Sequence, residues 1–582
     1  MSQRLVRRQT QPLPGAASPL LSRLFTGRGI QTSDEIDCSL ARLLLPTTML
    51  GLVAAGKLLA DCIEQQQRIL IVGDFDADGA TSSALMVHGL TAMGALHVNY
   101  LVPNRFEYGY GLTPEIVQLA AGTGAFQPEA GHQPPQLIIT VDNGISSGDG
   151  IDLAKSLGIK VLVTDHHLPG DVLPDADVIV NPNQPGCGFP SKNLAGVGVA
   201  FYLLTQLRQT LRKRGWFDHA DLVAPNLADY LDLVALGTIA DVVVLDQNNR
   251  ILVSEGIRRI RAGRCRPGIT GLLEIAGVRQ SQLASRDLAF GIGPRLNAAG
   301  RLDDMALGIE CLLSPSIIDA RAKAAHLDNL NKERRVIENE MKTQAQANLK
   351  LQHNLTPAGN KTGVCLYDDD WHQGVIGIVA SRIKDQLHRP VIAFAPAGDN
   401  EMKGSARSIR GLHIRDALAA IDAKNPGLIQ KFGGHAMAAG LTIEAGHFEQ
   451  FARLFDEQAS SSLSTEDLEQ VLISDGELND KVTLSLVREV LQAVPWGQGF
   501  PEPLFDGEFE ILQQRIVGQR HLKLSLLNGD QTFDAIAFNQ DRLIDGRNKR
   551  MAYRLDINEY RGVESVQLII ECVDVSLDST RK

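Results

Sequence analysis

Short apolar runs alternate with helix-compatible segments through the first third of the chain. Five runs are rich in Ile, Val and Leu, at 68–74, 97–103, 136–142, 159–165 and 176–182. Their apolar residues are continuous rather than alternating with polar ones, as is typical of strands buried on both faces of a parallel sheet. Helix-compatible stretches such as GATSSALMVHGLTAMG separate them. The pattern predicts an α/β domain with a parallel sheet.

Three further patterns follow along the chain. Residues 314–352 contain no glycine, have no proline after Pro315 and keep apolar residues at helical spacing, which predicts one long helix joining two domains. Residues 355–455 have the mixed pattern of a second α/β unit, and the polar stretch 456–467 is expected to be a linker. The remainder shows short alternating strands separated by turn residues, which favours a small OB-type barrel.

Length and composition narrow the class of protein. A chain of 582 residues is too long for one core and indicates three or four domains. It has no apolar run long enough for a membrane-spanning helix, and its first residues lack the apolar stretch of a secretory signal. The seven cysteines are scattered without a CxxC pair, which indicates a reducing compartment and no structural zinc.

The charge of the chain does not by itself indicate a nucleic-acid-binding protein. The formal net charge is −11, but carboxylates that bind cations reverse the local field. Two arginine-rich stretches, 208–214 and 258–266, are either solvated helix faces or phosphate contacts.

Carboxylates and histidines collect where the predicted strands end. Asp74, Asp76 and Asp78 follow the first run, Asp142 ends the third, and Asp165-His166-His167 follows the fourth. Asp241 lies near the end of a predicted helix within 229–245. Since open parallel sheets bind ligands at the carboxyl ends of their strands, we expect these groups to converge.

Two interpretations of these groups are open. Taken singly, an aspartate pair after a strand is often a loop or helix cap, and Asp-His-His is often a turn. Taken together on one sheet edge, oxygen and imidazole donors favour Mn²⁺ or Mg²⁺. The donors outnumber the needs of one ion, so two ions are expected, as in phosphoryl-transfer sites.

The motifs around these residues carry a resemblance to a known family. The series DFDADG, VDNG, DHH and GTIADVVVL resembles that of the DHH phosphoesterase superfamily. Five further stretches are similar to the bacterial single-strand-specific exonucleases of that superfamily: PNRFEYGYGL, FGIGPRLNAAGRLDD, WHQGVIGIVASRI, KGSARSIRG and KFGGHAMAAG. The similarity spans roughly residues 40 to 575.

The resemblance implies a domain organisation. The fold class is α/β, with a parallel-sheet DHH domain, a long connecting helix, a second α/β DHH-associated domain and a C-terminal OB-type β-barrel. The expected segments are a mobile N-terminal arm (1–40), the DHH domain (41–313), the connecting helix (314–353), the DHH-associated domain (354–456) and the OB-type nucleic-acid-binding domain (457–582).

The resemblance also implies roles in the metal centre. The expected ligands of two Mn²⁺ or Mg²⁺ ions are Asp74, Asp76, Asp78, Asp142, His166 and Asp241. Asp142 is expected to bridge the ions, and Asp74 is either a ligand or a neighbour of the ligands. His167 is expected to donate to the scissile phosphate. His167 and Asp142 are therefore the candidate catalytic residues.

A further set of residues is implied to hold the DNA strand. Arg105, Ser405 and Arg407 are expected at the 5′-terminal phosphate, because the arginine fork bonds phosphate oxygens bidentately. The DNA backbone after the first nucleotide is expected to be contacted by Arg295, Asn297 and Arg301. A DNA phosphate is also expected to be contacted by Gly433, Gly434 and His435. Tyr108 and Tyr110 either stack on bases or belong to the core. Ala406 stands where the family pattern has glycine, which loosens the assignment of the clamp.

The implied activity is 5′→3′ exonuclease digestion of single-stranded DNA to 5′-mononucleotides, in DNA repair and recombination. A single-strand-binding protein and a helicase are implied partners, the implied location is the cytoplasm, and a monomer is favoured. Two alternatives remain open: a small-substrate phosphodiesterase or pyrophosphatase of the same superfamily, and an inactive single-strand-binding scaffold.

Overall fold

The structure is a computed structural model, and it describes residues 4–104, 107–123, 133–355, 361–398, 400–518 and 520–577, with backbone alone for 350–355. The chain divides into two compact units. The larger unit comprises Arg8–Asn331 and Asp475–Glu571, and the smaller one Met1–Arg7, Lys332–Ser474 and Cys572–Lys582.

The strands, numbered in chain order, are β1 (Arg4–Arg7), β2 (Ile69–Gly73), β3 (Val98–Leu101), β4 (Leu137–Val141), β5 (Lys160–Thr164), β6 (Val178–Val180), β7 (Val364–Tyr367), β8 (Val391–Pro396), β9 (Glu401–Arg407), β10 (Lys431–Gly434), β11 (Ala438–Glu444), β12 (Val471–Ser474), β13 (Phe505–Val517), β14 (His521–Asn528), β15 (Gln531–Ala537), β16 (Asn548–Tyr560), β17 (Val563–Val573) and β18 (Ser576–Leu577).

The α-helices, numbered likewise, are α1 (Pro19–Thr26), α2 (Leu52–Glu64), α3 (Ala77–Ala92), α4 (Pro114–Ala121), α5 (Gly148–Ser156), α6 (Gly196–Lys213), α7 (Trp216–His219), α8 (Leu231–Ala240), α9 (Gln247–Arg261), α10 (Pro267–Ala276), α11 (Ser285–Asp287), α12 (Gly293–Leu302), α13 (Ala306–Leu312), α14 (Ile317–Leu355), α15 (Ile376–Leu387), α16 (Ile414–Lys424), α17 (Phe448–Ser462) and α18 (Leu484–Gln492).

The larger unit contains the predicted parallel sheet. Its strand order is β3-β2-β4-β5-β6, and every neighbouring pair is parallel. Each strand lies within one of the five predicted runs, so the prediction is confirmed. The β4 side chains are buried throughout, including Thr140, which explains the nearly continuous apolar run there. Chain order reverses between β2 and β4, so the carboxyl ends of these strands form a topological switch point, the usual ligand position in such sheets.

The predicted C-terminal barrel is also part of the larger unit. Five strands close in the order β13-β14-β15-β17-β16, with β15 and β17 parallel. Alternate residues of β14 fill its interior, since Leu522, Leu524 and Leu526 are buried. This alternation is the pattern that predicted the barrel, and the OB-type prediction is confirmed.

Ion pairs join the barrel to the sheet domain within the larger unit. The Arg286 guanidinium pairs with Asp556 of β16, and the Ser285 hydroxyl donates to the Trp496 carbonyl at 2.7 Å. Arg28, close to α1, makes a bidentate pair with Asp475 at 2.8 and 2.9 Å. Charged and polar contacts therefore join the barrel, and the segment that leads into it, to the N-terminal part of the larger unit.

The smaller unit is built around another sheet, which contains both parallel and antiparallel strand pairs. Its strand order is β10-β11-β9-β8-β7, and its core includes Phe394, Phe451 and Phe455. The predicted long helix is α14, of 39 residues, which begins in the larger unit and ends in the smaller one. The second α/β unit and the connecting helix are thus confirmed.

Two expectations differ from the structure. The arm 1–40, predicted as mobile, is folded from Arg4 onward, because β1 pairs with β12 and buries Leu5, and α1 buries Phe25. The predicted linker 456–467 is helical up to Ser462. Phe455 and Ala459 face the core there, one helical turn apart, and this short apolar stripe is masked by the surrounding polar residues.

In the described part of the chain no single helix is both apolar and long enough to cross a membrane, although a bent pair, Leu40–Thr48 with Leu52–Glu64, passes the test of length and composition. All seven cysteines are free.

Candidate metal centre

The predicted ligands meet at the switch point of the parallel sheet. Asp74 and Asp76 follow β2, Asp142 follows β4, and His166 follows β5. Asp241 caps the carboxyl end of α8, which packs on α3. The convergence expected from strand ends is therefore observed, with the fifth group brought in by a helix.

Three overlapping groups of side chains with potential metal-ligating atoms make up the centre. One contains Asp74, Asp76 and Asp142, and a second contains Asp78, His166 and Asp241; the donor atoms within each lie within 4.8 Å of one another. A third combines Asp142 with His166 and His167. Asp142 and His166 each belong to two groups, so the groups overlap at these two side chains.

Several of these potential metal-ligating atoms are buried and lie close to one another. Asp142 Oδ1 is 3.1 Å from His166 Nε2, which is 3.5 Å from Asp241 Oδ2. None of these three atoms has a hydrogen-bond partner among the described residues. Unpaired polar atoms are costly when buried, so the arrangement fits an additional positive group between them. Oxygen donors with one imidazole suit a hard divalent cation.

Burial and mutual repulsion disfavour ionised carboxylates in the centre. Burial, reinforced by Asp241, raises the pKa of Asp78 to about 7. Burial and Asp76 raise the pKa of Asp241 to about 7, and burial with Asp78 raises that of Asp142 well above its usual range. Cations would reverse these shifts, because a nearby positive charge favours the ionised form.

The two histidines have opposite environments. Burial, together with the neighbouring His167, lowers the pKa of His166, as suits a neutral imidazole ligand. Burial also acts to lower the pKa of His167, but its hydrogen bond to Asp165 and the surrounding carboxylates raise it to about 9. His167 Nδ1 lies 2.8 Å from Asp165 Oδ1. The hydrogen bond with Asp165 therefore favours the protonated form of His167.

Backbone amides at two helix N-termini bind carboxylates of the centre. Asp76 is the N-cap of α3, and its Oδ1 accepts from the amides of Asp78 and Gly79 at 2.9 and 3.1 Å. Asp78 accepts from the first two amides of α6, those of Gly196 at 2.6 Å and Val197 at 3.0 Å. The positive end of the helix dipole of α6 thereby stabilises this carboxylate. The helix-cap interpretation of the aspartates is therefore also correct for Asp76, alongside its place in the donor cluster.

Helix α12 supports the loop that follows β2. The Asn297 Oδ1 accepts from the Ala77 amide at 2.8 Å. A Cβ on Gly300 would come within 1.8 Å of the Phe75 carbonyl oxygen, so only glycine permits this approach. The side chain of Asn297, predicted to contact DNA, thus binds the backbone beside the loop that follows β2.

The predicted phosphate-binding residues of the smaller unit gather on one side of its sheet. Ser405 and Arg407 lie on β9, and the Arg407 Nη1 donates to the Ser405 Oγ at 3.1 Å. A Cβ on Gly377, in the first turn of α15, would approach Arg407 Nη2 at 2.8 Å and Ser405 Oγ at 2.9 Å. Ala406 is buried in the core on the opposite face of β9, so its extra methyl group does not face Arg407.

The glycine pair of the smaller unit lies on the strand β10. Gly434 has φ 139°, and a Cβ there would come within 2.5 Å of the Ala438 carbonyl oxygen, so this position requires glycine. Gly433 precedes it, and the His435 amide donates to the same carbonyl at 2.8 Å. The pair thus forms a tight edge turn beside β11.

The remaining predicted DNA contacts differ in their surroundings. Arg105 lies outside the described residues. Arg295 pairs with Asp328 at 2.8 Å and donates to the Gly291 carbonyl. Arg301 lies in the last turn of α12.

The arginine-rich stretch 258–266 is largely structural. Arg259 pairs with Asp229 at 2.7 Å and with Glu255 at 3.0 Å, and Arg266 pairs with the buried Asp232. The interpretation as phosphate contacts is therefore not favoured for these side chains.

Sequence reasoning missed three contributors to the centre. The first is the pair of α6 amides that binds Asp78, and the second is Asp165 of the DHH motif, which orients His167. The third is the Tyr110 hydroxyl, 3.3 Å from the Asp142 carbonyl oxygen. Only Asp165 had a signal in the sequence, as a carboxylate following a strand.

Comparison with known families agrees with this architecture. The model described as "DHH family, N-terminal domain" matches residues 68–238, the DHHA1 domain model matches 360–461, and the RecJ OB domain model matches 474–572. With the donor cluster at the carboxyl ends of its parallel strands, the protein is a member of the DHH phosphoesterase superfamily.

Full-length relatives define the family within that superfamily. The chain is 53% identical to the single-stranded-DNA-specific exonuclease RecJ of Dickeya dadantii, covering 96% of each chain, and 51% identical to that of Escherichia coli, covering 97% of each. It superposes on the crystal structure of Thermus thermophilus RecJ in complex with Mn²⁺ with a TM-score of 0.75 at 30% identity, covering 98% of this chain and 79% of that one. A Mg²⁺ complex of the same protein gives 0.71 at 28% identity, with 98% and 78% coverage. The chain belongs to the RecJ family of single-stranded-DNA-specific exonucleases.

Proposed function

We propose that this protein digests single-stranded DNA from its 5′ end to 5′-mononucleotides, with two Mn²⁺ or Mg²⁺ ions in the centre formed by Asp74, Asp76, Asp78, Asp142, His166 and Asp241. The observation that carries the proposal is the set of unpaired buried donor atoms on Asp142, His166 and Asp241. The family's specificity for single-stranded DNA supports the substrate.

The residues around the ions have distinct tasks. When bound, the two ions would supply Lewis-acid activation of the phosphodiester and of the attacking water. The α6 amides orient Asp78, and Asp165 orients His167. With its Nδ1 bonded to Asp165, His167 is suited, when protonated, to donate to a phosphate oxygen and to stabilise the charge that develops there.

Polarity and products are tested with oligonucleotides labelled at either end and digested with Mn²⁺. A 5′ label should appear first as a mononucleotide, whereas a 3′ label should remain on a shortening ladder. A bulky block on the 5′ end should stop digestion, and the same block on the 3′ end should not. Release of the 3′ label first would contradict the polarity.

We expect Arg407 and Ser405 to bind the 5′-terminal phosphate. Charge-assisted contacts of arginine with phosphate are worth roughly 1.5–3 kcal/mol, so Arg407→Ala should slow digestion of 5′-phosphorylated strands by about tenfold or more. Strands with a 5′-hydroxyl should be affected much less. The measurement is the initial rate on matched oligonucleotides that differ only at this end.

Arg415→Ala is the matched control, since Arg415 is an exposed arginine on α16 of the same unit. It should leave both rates unchanged. If Arg407→Ala reduces both rates by the same factor, Arg407 contacts the strand elsewhere and the terminal assignment is wrong.

The alternatives are less well supported. A small-substrate phosphodiesterase or pyrophosphatase would not need the OB-type barrel held against the sheet domain. An inactive scaffold would not need the complete donor set. We further propose that the enzyme acts as a monomer in the cytoplasm with a helicase and a single-strand-binding protein, which rests on the family resemblance alone.

A further inference from the structure

Tyr110 lies in a loop whose backbone is constrained on both sides. Gly109 and Gly111, its neighbours, have φ values of 76° and 80°, in the left-handed region that favours glycine. The loop is tied to the start of α5, because the Leu112 amide donates to the Ser147 Oγ at 3.1 Å. The local sequence thus places the Tyr110 side chain beside the metal centre.

Ring contacts then direct its hydroxyl to the backbone of Asp142. The Tyr110 ring packs edge-on against Phe75 and His167, with centroids 6.0 and 5.9 Å apart. Its hydroxyl oxygen is 3.3 Å from the Asp142 carbonyl oxygen and 3.4 Å from His167 Nδ1. Since that Nδ1 is already bonded to Asp165, the hydroxyl proton is directed to the Asp142 carbonyl.

Asp142 has a backbone conformation that needs such support. Its φ is 63°, which non-glycine residues adopt rarely. Its amide donates to the Thr164 carbonyl at 3.1 Å, so the peptide group before it is fixed by the sheet. The peptide group after it carries the carbonyl that Tyr110 contacts. The side chain of Asp142 is also closely packed, because a Cβ on Gly196 would come within 2.6 Å of Asp142 Cβ. A small rotation of the Asp142 side chain would therefore bring it against α6.

We propose that Tyr110 is a positioning residue for the shared carboxylate: its hydroxyl holds the Asp142 carbonyl and keeps the carboxylate aimed at both donor groups. This inference rests on the proposed two-ion role of Asp142. It differs from base stacking, which would use the ring of Tyr110 and not its hydroxyl.

Tyr110→Phe separates the two roles, because it keeps the ring and removes the hydroxyl. Partners behind metal ligands commonly affect metal affinity by 10–100-fold, so we expect Mn²⁺ affinity to fall about tenfold. Binding is measured without DNA, by calorimetric titration and by the electron paramagnetic resonance signal of free Mn²⁺. The Mn²⁺ concentration for half-maximal digestion should rise by the same factor, and the rate at saturating Mn²⁺ should recover.

Tyr100→Phe is the control, since Tyr100 lies on the edge strand β3 and its charged neighbours are Glu310 and Asp304, outside the centre. Its Mn²⁺ affinity should equal that of the wild type. Tyr110→Ala should match Tyr110→Phe in Mn²⁺ affinity. Any additional increase in KM for DNA would measure the contribution of the Tyr110 ring to substrate binding.

Three outcomes would overturn the proposal. Unchanged Mn²⁺ affinity in Tyr110→Phe would do so whatever happens to the rate, and a lower rate would then assign the hydroxyl to the substrate. An equal loss in Tyr100→Phe would indicate a general effect of losing a hydroxyl. Recovery of affinity in Tyr110→Ala would also contradict the role. A wild-type protein that binds two Mn²⁺ but leaves DNA intact would refute the proposed function and leave this inference standing.

Discussion

Asp142→Asn should lower the rate of single-strand digestion by at least about a hundredfold, or ~2.7 kcal/mol in the barrier. Asp142 is the carboxylate that two candidate metal-ligating groups share, so under the proposed two-ion mechanism its loss should disturb both ion positions. Asparagine has the same shape and tolerates the left-handed backbone at φ 63°, so the fold should be retained. Initial rates at saturating Mn²⁺ provide the measurement.

The same variant should be at least as stable as the wild type without metal. Burial and Asp78 raise the folded-state pKa of Asp142, so its ionised form destabilises the fold as pH rises above the unfolded pKa. Asparagine removes that penalty at neutral pH. Mn²⁺ should raise the melting temperature of the wild type and raise that of the variant less.

Asp152→Asn is the matched control, because Asp152 is an exposed carboxylate on α5 of the same unit. It should change neither the rate nor the Mn²⁺-dependent melting temperature. An Asp142→Asn protein that keeps more than about a tenth of the wild-type rate would show that Asp142 is not the shared ligand.

Blunt duplex DNA should be digested about 10²–10³ times more slowly than the same strand alone, because opening each terminal base-pair step costs ~1.4 kcal/mol and two or three must open. The physical reason is the depth of the centre: Asp78 and Asp142 are 0% and 1% exposed. We therefore expect a strand to leave its partner before its phosphate approaches these groups. Rates are compared on single strands, blunt duplexes and tailed duplexes of one sequence.

The tails provide the internal control. A 5′ single-stranded tail should restore digestion of the tailed strand, and a 3′ tail of equal length should not. Equal rates on blunt duplex and single strands would show that pairing does not limit access to the centre.

Much of the fold could be predicted because its signals are local. Strands buried on both faces must be apolar without interruption, so β2 and β4 are visible as runs. Ligands that follow such strands share one sheet edge, so Asp74 and Asp142 could be brought together from the sequence alone. The barrel was predictable for a similar reason, since Leu522 and Leu524 alternate with outward residues.

Other features depend on partners far away in the chain, and no local pattern reports them. β1 is a strand because it pairs with β12, over 460 residues later, and its four residues carry too little pattern to predict this. Arg295 was assigned to DNA, and its pairing with Asp328 depends on how α12 packs against the start of α14.

The sequence by itself determined the fold class, the family and the ligand types of the metal centre, because strand burial and side-chain chemistry are properties of short segments. Tertiary structure alone decided how the ligands are held. The α6 amides reach Asp78 from residues 196 and 197, and Tyr110 reaches a backbone carbonyl that no side-chain pattern encodes. Backbone groups are the same in every residue, so their use as partners becomes visible only when the chain is folded.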